Sequence, residues 1–125
     1  MDTSTISDVQ QLATPAIVVN AAIAKKNLRR LADYAKQHGI GIRPHTKTHK
    51  SKMIGRLQLE AGAIGLTVAK VGEAEQMAEV CDDILMAYPA VDLFRTKRLA
   101  ELAKRKTVRV AIDSVTAMEA LASAA

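Results

Sequence analysis

One stretch of the chain is built for chemistry: Arg43-Pro44-His45-Thr46-Lys47-Thr48-His49-Lys50-Ser51. It directly follows a short apolar run, Ile40-Gly41-Ile42. That is the C-terminal end of a strand, where α/β enzymes place their working groups. On extended backbone, alternate side chains share a face, so His45, Lys47 and His49 would point to one side. Positive neighbours and partial burial both favour the neutral form of an amine. A neutral amine is what Schiff-base chemistry would require of Lys47.

Three readings of the segment compete on local chemistry. Lys47 is a nucleophilic amine for a carbonyl substrate or for pyridoxal phosphate. Alternatively, His45 and His49 are two ligands of a metal, although a helical i, i+4 pair is hard to form right after Pro44 and no Asp or Glu lies nearby to complete the site. The third reading is a basic polar loop that binds solvent or a phosphate. Spacing alone leaves all three open.

The elements that must position this segment follow from the hydrophobic pattern. Thr14-Pro15 opens Ala16–Val19, which reads as a buried strand, and Asn20 suits a helix N-cap. From Ala22 to His38, a stripe of Ile23, Leu28, Leu31, Ala32 and Ala35 predicts a helix that ends at Gly39. Ile40–Arg43 is a second strand, stopped by Pro44. A helix from Lys52 to Ala61 ends at Gly62, and Ile64–Ala69 is the next strand. Then come a helix over Glu73–Val80, a strand over Asp83–Ala87 closed by Pro89, and a helix over Asp92–Arg105 with Leu93, Leu99 and Leu102 inward. Val108–Ile112 is another strand, and a last helix starts at Val115 and is still running at Ala125. Strand onsets near 40, 65, 83 and 108 give a spacing of roughly 20–25 residues, the rhythm of βα units. The fold class is therefore α/β, a parallel sheet covered by helices.

Composition narrows the function classes. The chain has 125 residues, 49% apolar and 25% charged, which suits a globular domain with a core. Its only aromatics are Tyr34, Tyr88 and Phe94, so the core is aliphatic and base-stacking nucleic-acid platforms are disfavoured. The net charge of +5 lies in one place. Arg95, Lys97, Arg98, Lys104, Arg105, Lys106 and Arg109 stand against Glu101 alone, a local sum of +6 that leaves −1 for the rest. A solvated helical face explains that better than a nucleic-acid partner. No apolar stretch approaches the ~20 residues of a membrane span, and the opening MDTSTISDVQ has no secretory pattern. One cysteine, Cys81, fits a reducing compartment, and the cytoplasm is the expected location.

Other residues have plain structural readings. Cys81 is a small buried hydrophobe, and Met53, Met77, Met86 and Met118 fill the core. Glu73 and Glu75 open a helix, where acids favour the dipole, and are not a catalytic pair. Gly62, Gly65 and Gly72 mark helix ends and turns, not a dinucleotide fingerprint. Lys70 ends a strand and is a secondary candidate for facing a pocket.

RPHTKTHKS, preceded by TPAIVVN and an amphipathic helix, resembles the N-terminal part of the D-threonine aldolase / D-serine dehydratase family. These are fold-type III pyridoxal-phosphate enzymes related to the alanine racemase N-terminal barrel. The blocks GAIGLTVAKVGEAE (62–75) and DILMAYP (83–89) follow in the family's order, so the resemblance runs from Thr14 to about Ser114. It implies that Lys47 forms the internal aldimine, with Lys50 the rival lysine, and that His45 and His49 line the cofactor pocket. It implies a small D-amino acid substrate and a homodimer in full-length form, beside the composition's reading of no membrane or nucleic-acid partner.

The resemblance also reassigns the elements. Residues 1–13 become a polar leader and residues 14–125 a truncated alanine racemase N-terminal-like barrel domain. Ile40–Arg43 becomes the first strand of a partial (β/α)8 TIM-type barrel, and the strands at Ile64, Asp83 and Val108 become the second to fourth. Ala16–Val19 becomes one strand of a separate β domain. Four βα units are half of the eight in a closed barrel of ~250 residues. In the family, phosphate-binding groups come mainly from later strands, and the divalent-metal ligands lie in a C-terminal domain; none of those positions has a counterpart in this sequence. Two alternatives stand beside the leading reading. One is a racemase-like or pyridoxal-phosphate-homeostasis protein on the same barrel. The other is a non-catalytic truncated chain whose open sheet edge pairs with another chain or aggregates.

Overall fold

The computed structural model describes residues 8–125. Along them run α1 (Ala21–Gln37), α2 (Lys52–Glu60), β1 (Leu66–Val68), α3 (Val71–Met77), β2 (Asp83–Met86), α4 (Leu93–Ala103), β3 (Thr107–Val110) and α5 (Val115–Ala122). The strands form a parallel sheet in the order β1-β2-β3, with Leu66 opposite Ile84 and Ile84 opposite Val108. Parallel neighbours need crossover connections, and α3 and α4 supply them. The α/β class with a parallel sheet thus stands.

Local signals set the helix limits. Asn20, Ser51, Asp92 and Ser114 each accept a backbone N–H from three residues on, at Ile23, Ile54, Arg95 and Ala117. These are side-chain N-caps, which satisfy donors that the first turn leaves free. Gly39 and Gly62 follow α1 and α2 with φ of 62° and 111°, left-handed positions where a side chain would be strained.

The core is the helix-covered face of the sheet. Leu66, Val68, Ile84 and Met86 meet Val71, Ala74 and Met77 of α3 and Leu99 and Leu102 of α4, all buried. Each large side chain so buried contributes about 1.5–3 kcal/mol of transfer free energy. The opposite face carries Thr67, Leu85 and Arg109, which are register partners across the strands. At its N-terminal end Asp83 receives Arg43 Nε and a terminal guanidinium nitrogen, both at 2.9 Å, and a terminal nitrogen of Arg109 at 2.5 Å.

Several expectations need correction. Ala16–Val19 is not a strand; Ile17 is 88% exposed and the run pairs with nothing among the described residues. Without a neighbouring ladder, β-forming residues leave their backbone groups to water. The pairing expected at Ile40–Arg43 is shifted toward the C-terminus and passes through Pro44 instead of stopping there. Ile64 N–H donates to Ile42 O (2.9 Å), Thr67 N–H to Pro44 O (2.8 Å) and Thr46 N–H to Thr67 O (2.8 Å), with a parallel bridge from His45 to Thr67. On an edge, a proline's missing N–H costs nothing because its carbonyl faces the neighbour.

On α4, Thr96 is buried where Leu93 was expected, while Leu93 is 65% exposed. The Thr96 hydroxyl donates to the Asp92 carbonyl at 3.1 Å, which lets it point inward. Met77 and Met86 are core, but Met53 and Met118 are about half exposed. Gly65 is no turn: a Cβ there would stand 2.5 Å from the Asp83 carbonyl oxygen, so this is a close backbone approach. The last helix ends at Ala122, before Ala125.

Candidate functional site

Residues 45–50 leave the sheet and close on themselves. The Thr46 carbonyl accepts from His49 N–H (3.2 Å) and from Lys50 N–H (2.8 Å), so the segment makes one tight helical turn before Ser51 caps α2. Thr46, fully buried, anchors it: its backbone N–H and its hydroxyl both donate to the Thr67 carbonyl. Thr67 returns its own hydroxyl to the Arg43 carbonyl at 2.7 Å. The turn places Lys47 and Thr48 at an exposed tip, and Lys47 is exposed where partial burial was expected. His45, Lys47 and His49 therefore do not form an extended one-sided row. They are carried instead by one tight turn, with Lys47 at its exposed tip.

Both imidazoles are neutral donors. The Lys47 N–H points at His45 Nδ1 (3.3 Å) and the Ser51 N–H at His49 Nδ1 (3.0 Å). With Nδ1 accepting, the ring proton sits on Nε2 in each. Burial, then the Lys47 charge, pushes His45 below its ordinary value, with Glu73 acting the other way. Burial lowers His49 as well, against hydrogen bonding from Gln58 and Ser51. His49 Nε2 and Gln58 Oε1 are both buried, and they are a donor and an acceptor that face each other just outside good hydrogen-bond geometry.

The two lysines of the segment differ. Lys50 has φ 48°, and its Nζ stands 3.2 Å from Glu73 Oε1. Glu73 is 8% exposed and also accepts the Ala69 N–H at 2.9 Å. Burial works against its carboxylate, but the Ala69 amide and the Lys50 ammonium outweigh it and hold the group below the usual range. Lys47 has no carboxylate partner among the described residues. Glu73 was read from sequence as a dipole acid only; its sole signal there was a place in the first turn of a helix.

Beside this lies an open depression of about 720 Å³ at the C-terminal ends of β1 and β2, lined by Lys70, Met86, Tyr88, Phe94, Arg95 and Arg98 among others. Its guanidinium groups are engaged: Arg95 by Asp92, and Arg98 by Glu75 and by the Phe94 ring 5.0 Å away. Lys70 thus lines a concave surface, as its strand-end position suggested. Among the described residues no three His, Cys, Asp or Glu side chains converge as a metal site, and no helix is long and apolar enough to cross a membrane. Cys81 is buried, and burial pushes its thiol up.

No family model matches the chain. A 3-hydroxy-D-aspartate aldolase of Paracoccus denitrificans is 35% identical over 121 residues, which are 94% of this chain and 31% of that protein. The solved D-threonine aldolase from Filomicrobium marinum superimposes with a TM-score of 0.87 at 32% identity, over 90% of this chain and 31% of that one. The D-threo-3-hydroxyaspartate dehydratase from Delftia sp. HT23 gives 0.81 at 35% identity, over 90% and 30%. A D-serine dehydratase of Dictyostelium discoideum is also similar, 31% identical over 87 residues, 66% of this chain and 22% of that protein.

The chain is thus similar, over most of its length, to one part of proteins named D-threonine aldolase, 3-hydroxy-D-aspartate aldolase and D-threo-3-hydroxyaspartate dehydratase. It spans under a third of the length of those relatives. Identity and shape agree over the same nine-tenths of the chain, so the likeness is not one of fold alone.

Proposed function

We propose that the chain is the N-terminal part of a pyridoxal-phosphate-dependent enzyme acting on small D-amino acids, of the D-threonine aldolase or D-serine dehydratase type. The observation that carries this reading is the TM-score of 0.87 at 32% identity to a D-threonine aldolase over 90% of the chain. Residues 14–125 would be the first βα units of a (β/α)8 barrel, with the 42–46 ladder, β1, β2 and β3 as its first strands. Lys47 is the proposed cofactor lysine. Its rival, Lys50, is occupied by Glu73.

The residues present fit the carbonyl end of pyridoxal phosphate. Lys47 offers an amine with no carboxylate partner among the described residues, and His45 and His49 offer Nε2–H groups, that of His49 buried against Gln58. When bound, the cofactor supplies an electron sink for a carbanion at the substrate's Cα. Lys47 Nζ would hold it covalently and, when free, take or give a proton. His45 and His49 would orient the polar groups beside that amine while staying neutral themselves.

The test is direct. The purified chain is mixed with pyridoxal phosphate, scanned for absorbance above about 400 nm, reduced with borohydride and mapped for the modified lysine. A label on Lys47 is expected. A label on Lys50 would reassign the lysine, and no label would remove the catalytic claim for this chain. Product analysis with D-threonine, D-serine and alanine then separates aldol cleavage, dehydration and racemisation.

A further inference from the structure

Glu73 stands where the 45–50 turn meets the end of β1. Its side chain is 9% exposed, and its oxygens divide between two loops: Oε2 accepts the Ala69 N–H at 2.9 Å and Oε1 faces Lys50 Nζ at 3.2 Å. Lys50 is left-handed, with φ 48°, a conformation that a side-chain-bearing residue keeps only where its surroundings enforce it. Its N–H closes the turn on the Thr46 carbonyl at 2.8 Å. Lys47 lies inside that turn, so the carboxylate, the Lys50 ammonium, the turn and the Lys47 backbone form one connected path.

We propose that Glu73 is a positioning residue: by holding Lys50 Nζ and the Ala69 amide together, it fixes the turn that presents Lys47 and keeps Lys50 from competing for a carbonyl group. This rests on the reading of Lys47 as the lysine that carries pyridoxal phosphate. The carboxylate acts through charge, and an amide of the same size cannot replace it at Lys50. Glu73→Gln keeps an acceptor for the Ala69 N–H but releases the ammonium. Lys50→Met removes the ammonium and leaves the Glu73–Ala69 bond in place.

Two measurements on the 125-residue chain test the proposal: borohydride trapping of pyridoxal phosphate with mapping of the labelled lysine, and backbone amide exchange without cofactor. The unsubstituted chain should label at Lys47. In Glu73→Gln the share of label on Lys50 should rise to match that on Lys47. Exchange at the His49 and Lys50 amides should quicken by up to about fivefold, the worth of a half-exposed ion pair, while the β1 and β2 amides stay protected. Lys50→Met should show the same faster exchange with the label still on Lys47. Unchanged exchange and unchanged label distribution in Glu73→Gln, with the sheet amides protected, would overturn the proposal. If the unsubstituted chain labels elsewhere or not at all, the reading of Lys47 falls. Faster turn exchange in Glu73→Gln then still supports the tie, and unchanged exchange removes it.

Discussion

At the N-terminal end of the parallel sheet, Asp83 is bound by Arg43 through two nitrogens and by Arg109 from the next strand. The backbone packs so closely there that only glycine fits at position 65. At the C-terminal end, Lys47 has no carboxylate partner among the described residues, His49 Nε2 and Gln58 Oε1 meet only loosely, and Lys50 holds a left-handed backbone. Both ends carry cations and use the same β1 strand. They differ at Lys47, which alone among the lysines and arginine of residues 43–50 lacks a carboxylate partner among the described residues, whereas Lys50 is held by Glu73 and Arg43 by Asp83. Paired groups and close backbone approach stabilise; an amine without a carboxylate and a strained turn leave groups free to act on something else. Substitutions at the first end should therefore change stability without chemistry, and at the second end chemistry without stability.

The sharpest separation comes from Lys47→Met. It should abolish the borohydride-trapped label altogether, while thermal unfolding stays within about 0.5 kcal/mol of the parent because the side chain is exposed. A large loss of stability would mean that the turn depends on the lysine's packing, and the two ends would not be separable. Next in size is Gly65→Ala. Its Cβ would stand 2.5 Å from a backbone oxygen and 3.1 Å from Arg43 Nε. The oxygen cannot swing away, so overpacking of about 1–3 kcal/mol should appear in denaturant unfolding, with Lys47 labelling retained. Full stability in that variant would show that the β1–β2 approach relaxes freely.

A smaller effect is expected at Thr67, which serves both ends. Its hydroxyl ties down the Arg43 carbonyl at 2.7 Å, and its own carbonyl accepts the Thr46 backbone N–H and hydroxyl. Thr67→Val should cost about 1 kcal/mol, the net worth of a hydrogen bond, and should also slow labelling at Lys47. Thr67→Ser should restore both. If the valine variant loses stability and labels at the parent rate, the anchor does not reach the site.

The parts of this arrangement that were legible in the sequence are the local ones. Asn20, Gly39 and Gly62 are written next to the helix limits they set, and the apolar runs of β1, β2 and β3 carry their own period. Ala16–Val19 has the same apolar character as those strands yet pairs with nothing among the described residues, because a strand depends on a neighbour that composition does not name. Pro44 was taken as a stop since it lacks an N–H; whether that matters depends on which side of the ladder it faces. The site segment was found by its residue types, but its shape was not. Thr46, to which its residue type assigned no role, is the fully buried anchor, and the turn it closes replaces the extended row. Glu73 and Lys50 lie far apart in sequence, and nothing near either one announces the contact.

The smallest expected effect is a response to pH at the C-terminal end. His45 and His49 both lie below their ordinary value of 6.5, chiefly through burial, helped at His45 by the Lys47 charge and opposed there by Glu73. In the unfolded chain both rings take up protons as pH falls through about 6.5, while the folded chain resists. The unfolded state then binds more protons, so stability falls as pH falls. Asp83 and Glu73 are held below their ordinary values of 3.8 and 4.5, by the Arg43 pair at Asp83 and by the Ala69 amide and Lys50 at Glu73, which outweigh burial. Their contributions are therefore intact between pH 7 and about 5, and that window isolates the imidazoles. Urea midpoints should decline modestly across it, and His49→Gln should flatten the decline while leaving the steeper loss below about pH 4, where the carboxylates give way. A flat parent profile from pH 7 to 5 would mean that the rings charge as easily folded as unfolded. Burial at this end of the sheet would then not be strong enough to keep them as neutral donors beside Lys47.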